Sequence, residues 1–497
     1  MRLGGAPVRM KPPLAPLVLL AAWLSGCGAD DGGLSATQPG PLAASSGLPI
    51  PEIEGPVTGG LRGKPWAGAL EPQSQLTHFD YVQEEFFYSG SARQRDVQGE
   101  LLGGEADYTT RMLVIRPQQA EDFNGVVLME WFNATAEMDL PLMWILGHDE
   151  LTRGGYAYVG VSAQPVGVQT SPLALKFWDP LRYAPLSHPG DAYSFDIFAQ
   201  AARALMTSDD PLPLGGLHVQ KIIASGESQS CSFLAQYANR VHITEPVFDG
   251  ILLHSCASDI RADINVPVML FANESEIDGF TAADGSAQEG LEFLADVPGL
   301  GLLRLQMIDN GFIPDADGDN FRVWEIAGGS HYDKQAMEYL VPLLAENLLA
   351  PVDTGIVPPL EWNLACATLP NRLAMERPTR AIIHQLTQWI QTGSAPPMYP
   401  RLLKHEDGII QRDAAGLAMG GIRMPPMAAP EGVNIGDDCP FIGSYTAFSS
   451  AEMQARYGDV NGYIDAVAQA AQFNVAEGTL LPEDALEYLR EAEQVDF

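Results

Sequence analysis

The chain has 497 residues and is 46% hydrophobic, 18% charged and 8% aromatic, which excludes a wholly disordered chain, a collagen-like repeat and a polytopic membrane protein. Its 28 basic residues face 63 acidic ones, a formal charge of −35. Such a field repels phosphate backbones and anionic head groups and argues against nucleic acid as a partner.

Arg2, Arg9 and Lys11 precede an apolar run from Leu14 to Trp23 that leads into Leu24-Ser25-Gly26-Cys27. The run is too short to span a bilayer and has the form of a secretory signal. Leu-Ser-Gly-Cys also resembles the lipobox of bacterial lipoproteins. That resemblance implies a signal peptide over residues 1–26, a lipid on Cys27, and an exported chain held to the cell envelope only through this anchor. Gly28 leans the expectation toward the outer membrane. Residues 27–60, rich in Gly, Pro, Ser and Ala, are expected to form a flexible tether.

An exported chain can hold disulfides. Setting Cys27 aside leaves Cys231, Cys256, Cys366 and Cys439, which allow three pairings. No clustered Cys/His spacing suggests a metal site. Asp315-Ala316-Asp317-Gly318-Asp319 looks like the start of a calcium loop, but Asn320 stands for the usual Gly and Ile326 for the closing Glu, so no calcium is expected there.

In chain order, strands are expected at Arg111–Arg116, Gly125–Phe132, Tyr156–Ser162, Lys221–Ser225, Phe248–His254, Val266–Ala272 and Phe321–Ala327. Most are nearly continuous apolar runs, as in strands covered on both faces. Helical periodicity fits Tyr193–Met206, Ser230–Arg240, Asp333–Leu349, Arg377–Gln391 and Ile464–Glu477. The alternation predicts an α/β fold with a mainly parallel central sheet flanked by helices. No glycine-rich phosphate loop is present, and no internal repeat.

The chemistry concentrates where an apolar strand runs into Ser225-Gly226-Glu227-Ser228-Gln229-Ser230 and a helical pattern begins at once. This is the strand–turn–helix context of a nucleophile elbow, with Ser228 at the tip. Ser230 stands where a glycine is usual. A nucleophilic serine needs a base, and the base an orienting acid. His331 follows the strand Phe321–Ala327 and a Gly-Gly-Ser turn, where α/β sheets place their chemistry; His188 and His254 are weaker candidates. The acid is expected after Val266–Ala272, where Glu274, Glu276 and Asp278 stand. The order serine, acid, histidine is that of the α/β-hydrolases.

From about Leu61 onward the chain resembles the bacterial family of secreted α/β-hydrolase-domain proteins of mostly undefined substrate. The matching stretches are Val127–Asn133, Gly155–Gln164, His188–Asp196, Gly226–Ser230, Phe248–His254 and Arg322–His331. The resemblance implies an α/β-hydrolase fold over residues 61–497 and a serine esterase acting on a small-molecule carboxylic ester without metal or organic cofactor. Residues 279–320 would form a possible cap, and residues 335–497 a C-terminal extension packed on the core. Where the family shows a Glu-x-Asp pair, this chain has Glu274 and Glu276; Glu276 better matches the acid's place, with Glu274 as the alternative. One oxyanion donor would be the N–H of Gln229, and the second would come from Asn133. Glu130, a carboxylate within an apolar strand, reads as a structural partner. In this fold Cys231 and Cys256 lie on neighbouring elements, which implies the pairs Cys231–Cys256 and Cys366–Cys439. The competing readings are a peptidase, lactonase or acyltransferase on the same residues, and a non-catalytic surface lipoprotein that binds a ligand. The sequence sets no oligomeric state.

Overall fold

The strands of the main sheet, in chain order, are β1 (Glu52–Glu54), β2 (Tyr81–Arg95), β3 (Leu101–Pro117), β4 (Val126–Trp131), β5 (Ala157–Val161), β6 (Lys221–Glu227), β7 (Gly250–His254), β8 (Val268–Asn273) and β9 (Phe321–Ile326). In this computed structural model they form one sheet in the order β1-β2-β3-β5-β4-β6-β7-β8-β9. β5, β4 and β6 to β9 run parallel, and β1 to β3 pair antiparallel along one side. The described residues are 40–96, 98–279, 313, 316–349, 368–439 and 441–495. The lipobox-like Leu24–Cys27, Cys366 and most of the expected cap lie outside them.

The apolar strands are buried on both faces because each face carries helices. Leu128, Ile223, Leu252 and Met269 point into one core, and their neighbours Val127, Ile222, Ile251 and Val268 into the other, as the two-residue period of a strand requires. The first core is closed by the helices Leu142–Arg153 and Glu376–Thr392, the second by Ser194–Ala204 and Gln229–Tyr237. A Cβ on Gly147 would stand 2.8 Å from Ile383 Cδ1, so the two helices of the first pair meet at a glycine. Ile382, Ile383, Leu386 and Trp389 of the second helix are buried, each contributing about 1.5–3 kcal/mol. The C-terminal extension therefore supplies one of the sheet's own covering helices.

Two expectations change. The stretch read as a flexible tether joins the fold well before Gly60. Ala43 and Leu48 are buried, Arg203 Nε donates to Leu48 O at 2.9 Å, and β1 pairs with β2 through Glu52–Glu54. The second change is the long hairpin of β2 and β3, of which the apolar pattern marked only Arg111–Arg116. Its polar residues break the pattern yet lie inside. Arg111, fully buried, donates to Glu85 at 2.9 Å and Asp139 at 3.3 Å, and Arg182 Nε reaches Glu85 at 2.6 Å. Burial costs these charges less because each is paired and hydrogen-bonded.

Cys231 and Cys256 form a disulfide with Cα atoms 6.0 Å apart. Cys439 is disulfide-bonded as well. In the stretch that looks like the start of a calcium loop, Asp317 Oδ1 accepts the Val323 N–H at 2.9 Å and a hydrogen bond from Arg401 at 3.0 Å.

Candidate active site

β6 ends at Glu227 and the next helix starts at Gln229, which leaves Ser228 alone at the turn with φ 58° and ψ −120°. This left-handed backbone costs a non-glycine residue about 1–3 kcal/mol. The surroundings hold it there: the Ser228 N–H donates to His254 O at 2.9 Å. A Cβ on Gly226 would lie 2.9 Å from the carbonyl of Ser230, so strand and helix backbones pass too close for a side chain. Ser230 uses its hydroxyl where a glycine would have none. Its Oγ accepts the Glu227 N–H at 3.0 Å and donates to Glu227 O at 2.9 Å, tying the turn shut.

The loops after β8 and β9 complete a chain of hydrogen bonds. Ser228 Oγ lies 2.8 Å from His331 Nε2, and His331 Nδ1 lies 2.7 Å from Glu276 Oε1. Glu276 is held in turn: its Oε2 accepts the Asn273 N–H at 2.6 Å and its Oε1 the Ser275 hydroxyl at 2.8 Å. Burial by itself lowers the His331 pKa, but Glu227 and the Glu276 hydrogen bond outweigh it and hold the imidazole above its ordinary 6.5. The rings of Tyr332 and Phe441 stand edge-on to it at 4.9 and 5.3 Å. Phe441 comes from the C-terminal extension.

Glu274 points elsewhere. It accepts the Gly328 N–H at 2.5 Å, the Gly436 N–H at 2.9 Å and Arg412 at 2.9 Å. It thus fastens the turn before His331 to the C-terminal extension. Of the rival histidines, His254 is buried against Phe271 and bonded to Thr379 and Ser255, and His188 Nε2 lies 2.9 Å from Ala163 O. Burial depresses both, to about 3 and about 4. Glu130 has the structural role expected of it, accepting the Met143 N–H at 2.9 Å and the Tyr158 hydroxyl at 2.5 Å.

The two residues expected as oxyanion donors differ in what they bond. Gln229 opens its helix, so its N–H has no acceptor within that helix. The Asn133 N–H, however, is committed to Leu140 O at 3.2 Å, and its side-chain amide donates to Glu227 O at 3.0 Å. The next N–H along the loop, Ala134, reaches the elbow instead, donating to Gln229 Oε1 at 3.2 Å. Nothing local marks Ala134; with the Asn133 N–H paired to Leu140, it is the Ala134 N–H that faces the elbow. Glu227 was also not singled out by the sequence. Its signal was a charged residue closing an otherwise apolar strand, and its Oε1 lies 3.5 Å from His331 Nε2.

The model of the alpha/beta hydrolase domain family matches residues 53–294 and 305–490. No curated protein matches the chain. Among solved structures, the chain is similar to a fungal esterase from Rhizomucor miehei, at 13% identity over 58% of this chain and 81% of that one, with a TM-score of 0.27. It is also similar to a siderophore hydrolase from Aspergillus nidulans, at 13% identity over 53% of this chain and 96% of that one, with a TM-score of 0.25. The family match covers most of the sequence, including every strand from β2 to β9, and the chain belongs to the alpha/beta hydrolase domain family.

Proposed function

We propose that the protein is a serine hydrolase that cleaves carboxylic esters through an acyl-enzyme. The observation that carries this reading is the continuous hydrogen-bond chain from Ser228 Oγ through His331 to Glu276, with Ser228 at the tip of the elbow. Ser228 Oγ attacks the ester carbonyl while His331 Nε2 takes its proton. Glu276 holds Nδ1–H, fixing the tautomer in which Nε2 can accept. The tetrahedral oxyanion is received by the Gln229 N–H and, once the ester oxygen displaces the Gln229 side-chain oxygen, by the Ala134 N–H. His331 then returns the proton to the leaving alcohol, and water repeats the sequence on the acyl-enzyme.

The lipobox supports an exported, lipid-anchored protein. Among the described residues no helix is long and apolar enough to cross a membrane. A fluorophosphonate probe should label the wild-type protein and leave Ser228→Ala unlabelled. Labelling that survives the substitution would refute the assignment. p-Nitrophenyl esters of rising chain length, run beside peptide and lactone substrates, separate esterase from the other acyl-transfer readings. A protein inert to all of them and to the probe would be a binder.

A further inference from the structure

Glu227 is fully buried, and its two carboxylate oxygens are unequally provided for. Oε2 lies 3.5 Å from the Asn133 amide, whereas Oε1 has no hydrogen-bond partner among the described residues. A buried polar atom left without a partner costs stability, so its presence calls for a reason. The nearest candidate is His331: Oε1 lies 3.5 Å from Nε2, the same nitrogen that Ser228 Oγ approaches at 2.8 Å. Glu276 takes the opposite edge of the ring, at Nδ1. The imidazole thus stands between two buried carboxyl groups, one on each nitrogen.

We propose that Glu227 is a second carboxylate partner of His331, a positioning residue that faces Nε2 and stabilises the imidazolium formed when Ser228 gives up its proton. This inference rests on the serine-hydrolase reading. In the attack the Ser228 Oγ–carbon bond forms, the carbonyl π pair moves onto oxygen, and the proton passes from Oγ to Nε2. Positive charge then appears 3.5 Å from Oε1, between two buried side chains where the attraction is weakly screened. When Nε2 hands the proton to the departing alkoxide, the imidazole is neutral again. Asn133 is what holds this carboxyl group in position: its amide reaches both the backbone carbonyl and Oε2 of Glu227, which accounts for a polar side chain where an oxyanion donor was expected.

The groups facing Glu227 determine when it is charged. They are Glu130 on β4, Glu276 after β8, and His331 and Tyr332 after β9, with His254 its register partner on β7. Burial, with Glu276 and Glu130 pushing the same way, raises the Glu227 carboxyl to about 8, against the pull of His331 and the Asn133 amide. Activity should therefore climb with pH in two steps. The first follows loss of the His331 proton, and the second comes near pH 8, as Glu227 ionises and strengthens its hold on the imidazolium.

The test is the pH dependence of kcat and kcat/KM for p-nitrophenyl acetate in the full chain, wild type against Glu227→Gln and Glu227→Asp. Glu227→Gln keeps an oxygen for Asn133 but removes the charge. It should lose about tenfold in kcat above pH 8, the equivalent of one pKa unit of imidazolium stabilisation, with KM little changed. Its upper step should vanish, and its lower limb should stay in place, because Glu227 is still protonated where His331 loses its proton. Glu227→Asp, which keeps the carboxylate, should recover part of the upper step. A Glu227→Gln profile with the wild-type shape, even at reduced height, would overturn the proposal and leave Glu227 a structural residue. If Glu227→Gln does not fold, the wild-type profile decides: a single rise with no second step overturns it equally. Ser228→Ala run alongside separates the two levels, since activity surviving there sinks the serine-hydrolase reading itself.

Discussion

Glu276→Gln tests the proposed acid most directly, because its hydrogen bonds leave the replacement amide little freedom. Glu276 Oε2 accepts the Asn273 N–H at 2.6 Å, and Oε1 faces His331 Nδ1 at 2.7 Å. A glutamine could direct its NH2 toward Asn273, but that would set two donors against each other in a buried site. It is therefore driven to give its carbonyl oxygen to Asn273 and its NH2 to Nδ1. The Ser275 hydroxyl can rotate to suit. His331 must then accept at Nδ1 and carry its proton on Nε2, the tautomer that cannot take a proton from Ser228. In the known triad template this change costs about 10⁴-fold in kcat, or about 5.4 kcal/mol of activation free energy. Glu274→Gln should keep most of the activity, since Glu274 faces Gly328, Gly436 and Arg412. Its cost falls on stability, about 1–3 kcal/mol for a buried charge-assisted network. Steady-state hydrolysis of p-nitrophenyl butyrate gives kcat for both variants, and thermal unfolding shows that each is folded. The reverse ranking, in two folded variants, would transfer the acid to Glu274 and refute the tautomer argument.

Cys27→Ala should release the protein from the membrane fraction with its esterase activity retained; a wild-type protein already wholly soluble after fractionation would refute the anchor. Mass spectrometry of unreduced peptides should recover Cys231 linked to Cys256. In the chain-entropy model that link, spanning 25 residues, contributes about 3.5 kcal/mol, which a Cys231→Ala/Cys256→Ala variant should lose in denaturant unfolding. Stability should also fall as pH rises from 6.5 to 8. Burial raises Glu130 and Glu227 to about 8 each, so the folded chain keeps protons that the unfolded chain has already released above 4.5. His331, raised above 6.5, adds to the loss with the same sign. Unfolding temperatures that climb across that window would contradict this burial argument.

What the sequence determined by itself was local. An apolar strand running into Gly226-Glu227-Ser228 and then a helix can make only a sharp turn, and that fixed the elbow. The parallel strands were legible because burial on both faces leaves nearly continuous apolar runs. His331 was legible because it follows one of them across a glycine turn. The strands β2 and β3 were mostly hidden because their charges are neutralised by distant partners: Glu85 lies inside only because Arg111 and Arg182 reach it. The segment before Gly60 likewise became part of the sheet through a partner strand that composition does not reveal. Only the tertiary structure decided which carboxylate reaches His331. Glu274 and Glu276 sit two positions apart on one loop, and their separation depends on what faces each. Gly328, Arg412 and Gly436 draw one away, while Asn273 and Ser275 aim the other at the imidazole. The same holds for Ala134 and Asn133, where pairing with Leu140 commits one N–H and the other reaches the Gln229 side chain at the elbow. Side-chain direction in a loop depends on contacts far away in the chain, and local pattern does not encode them.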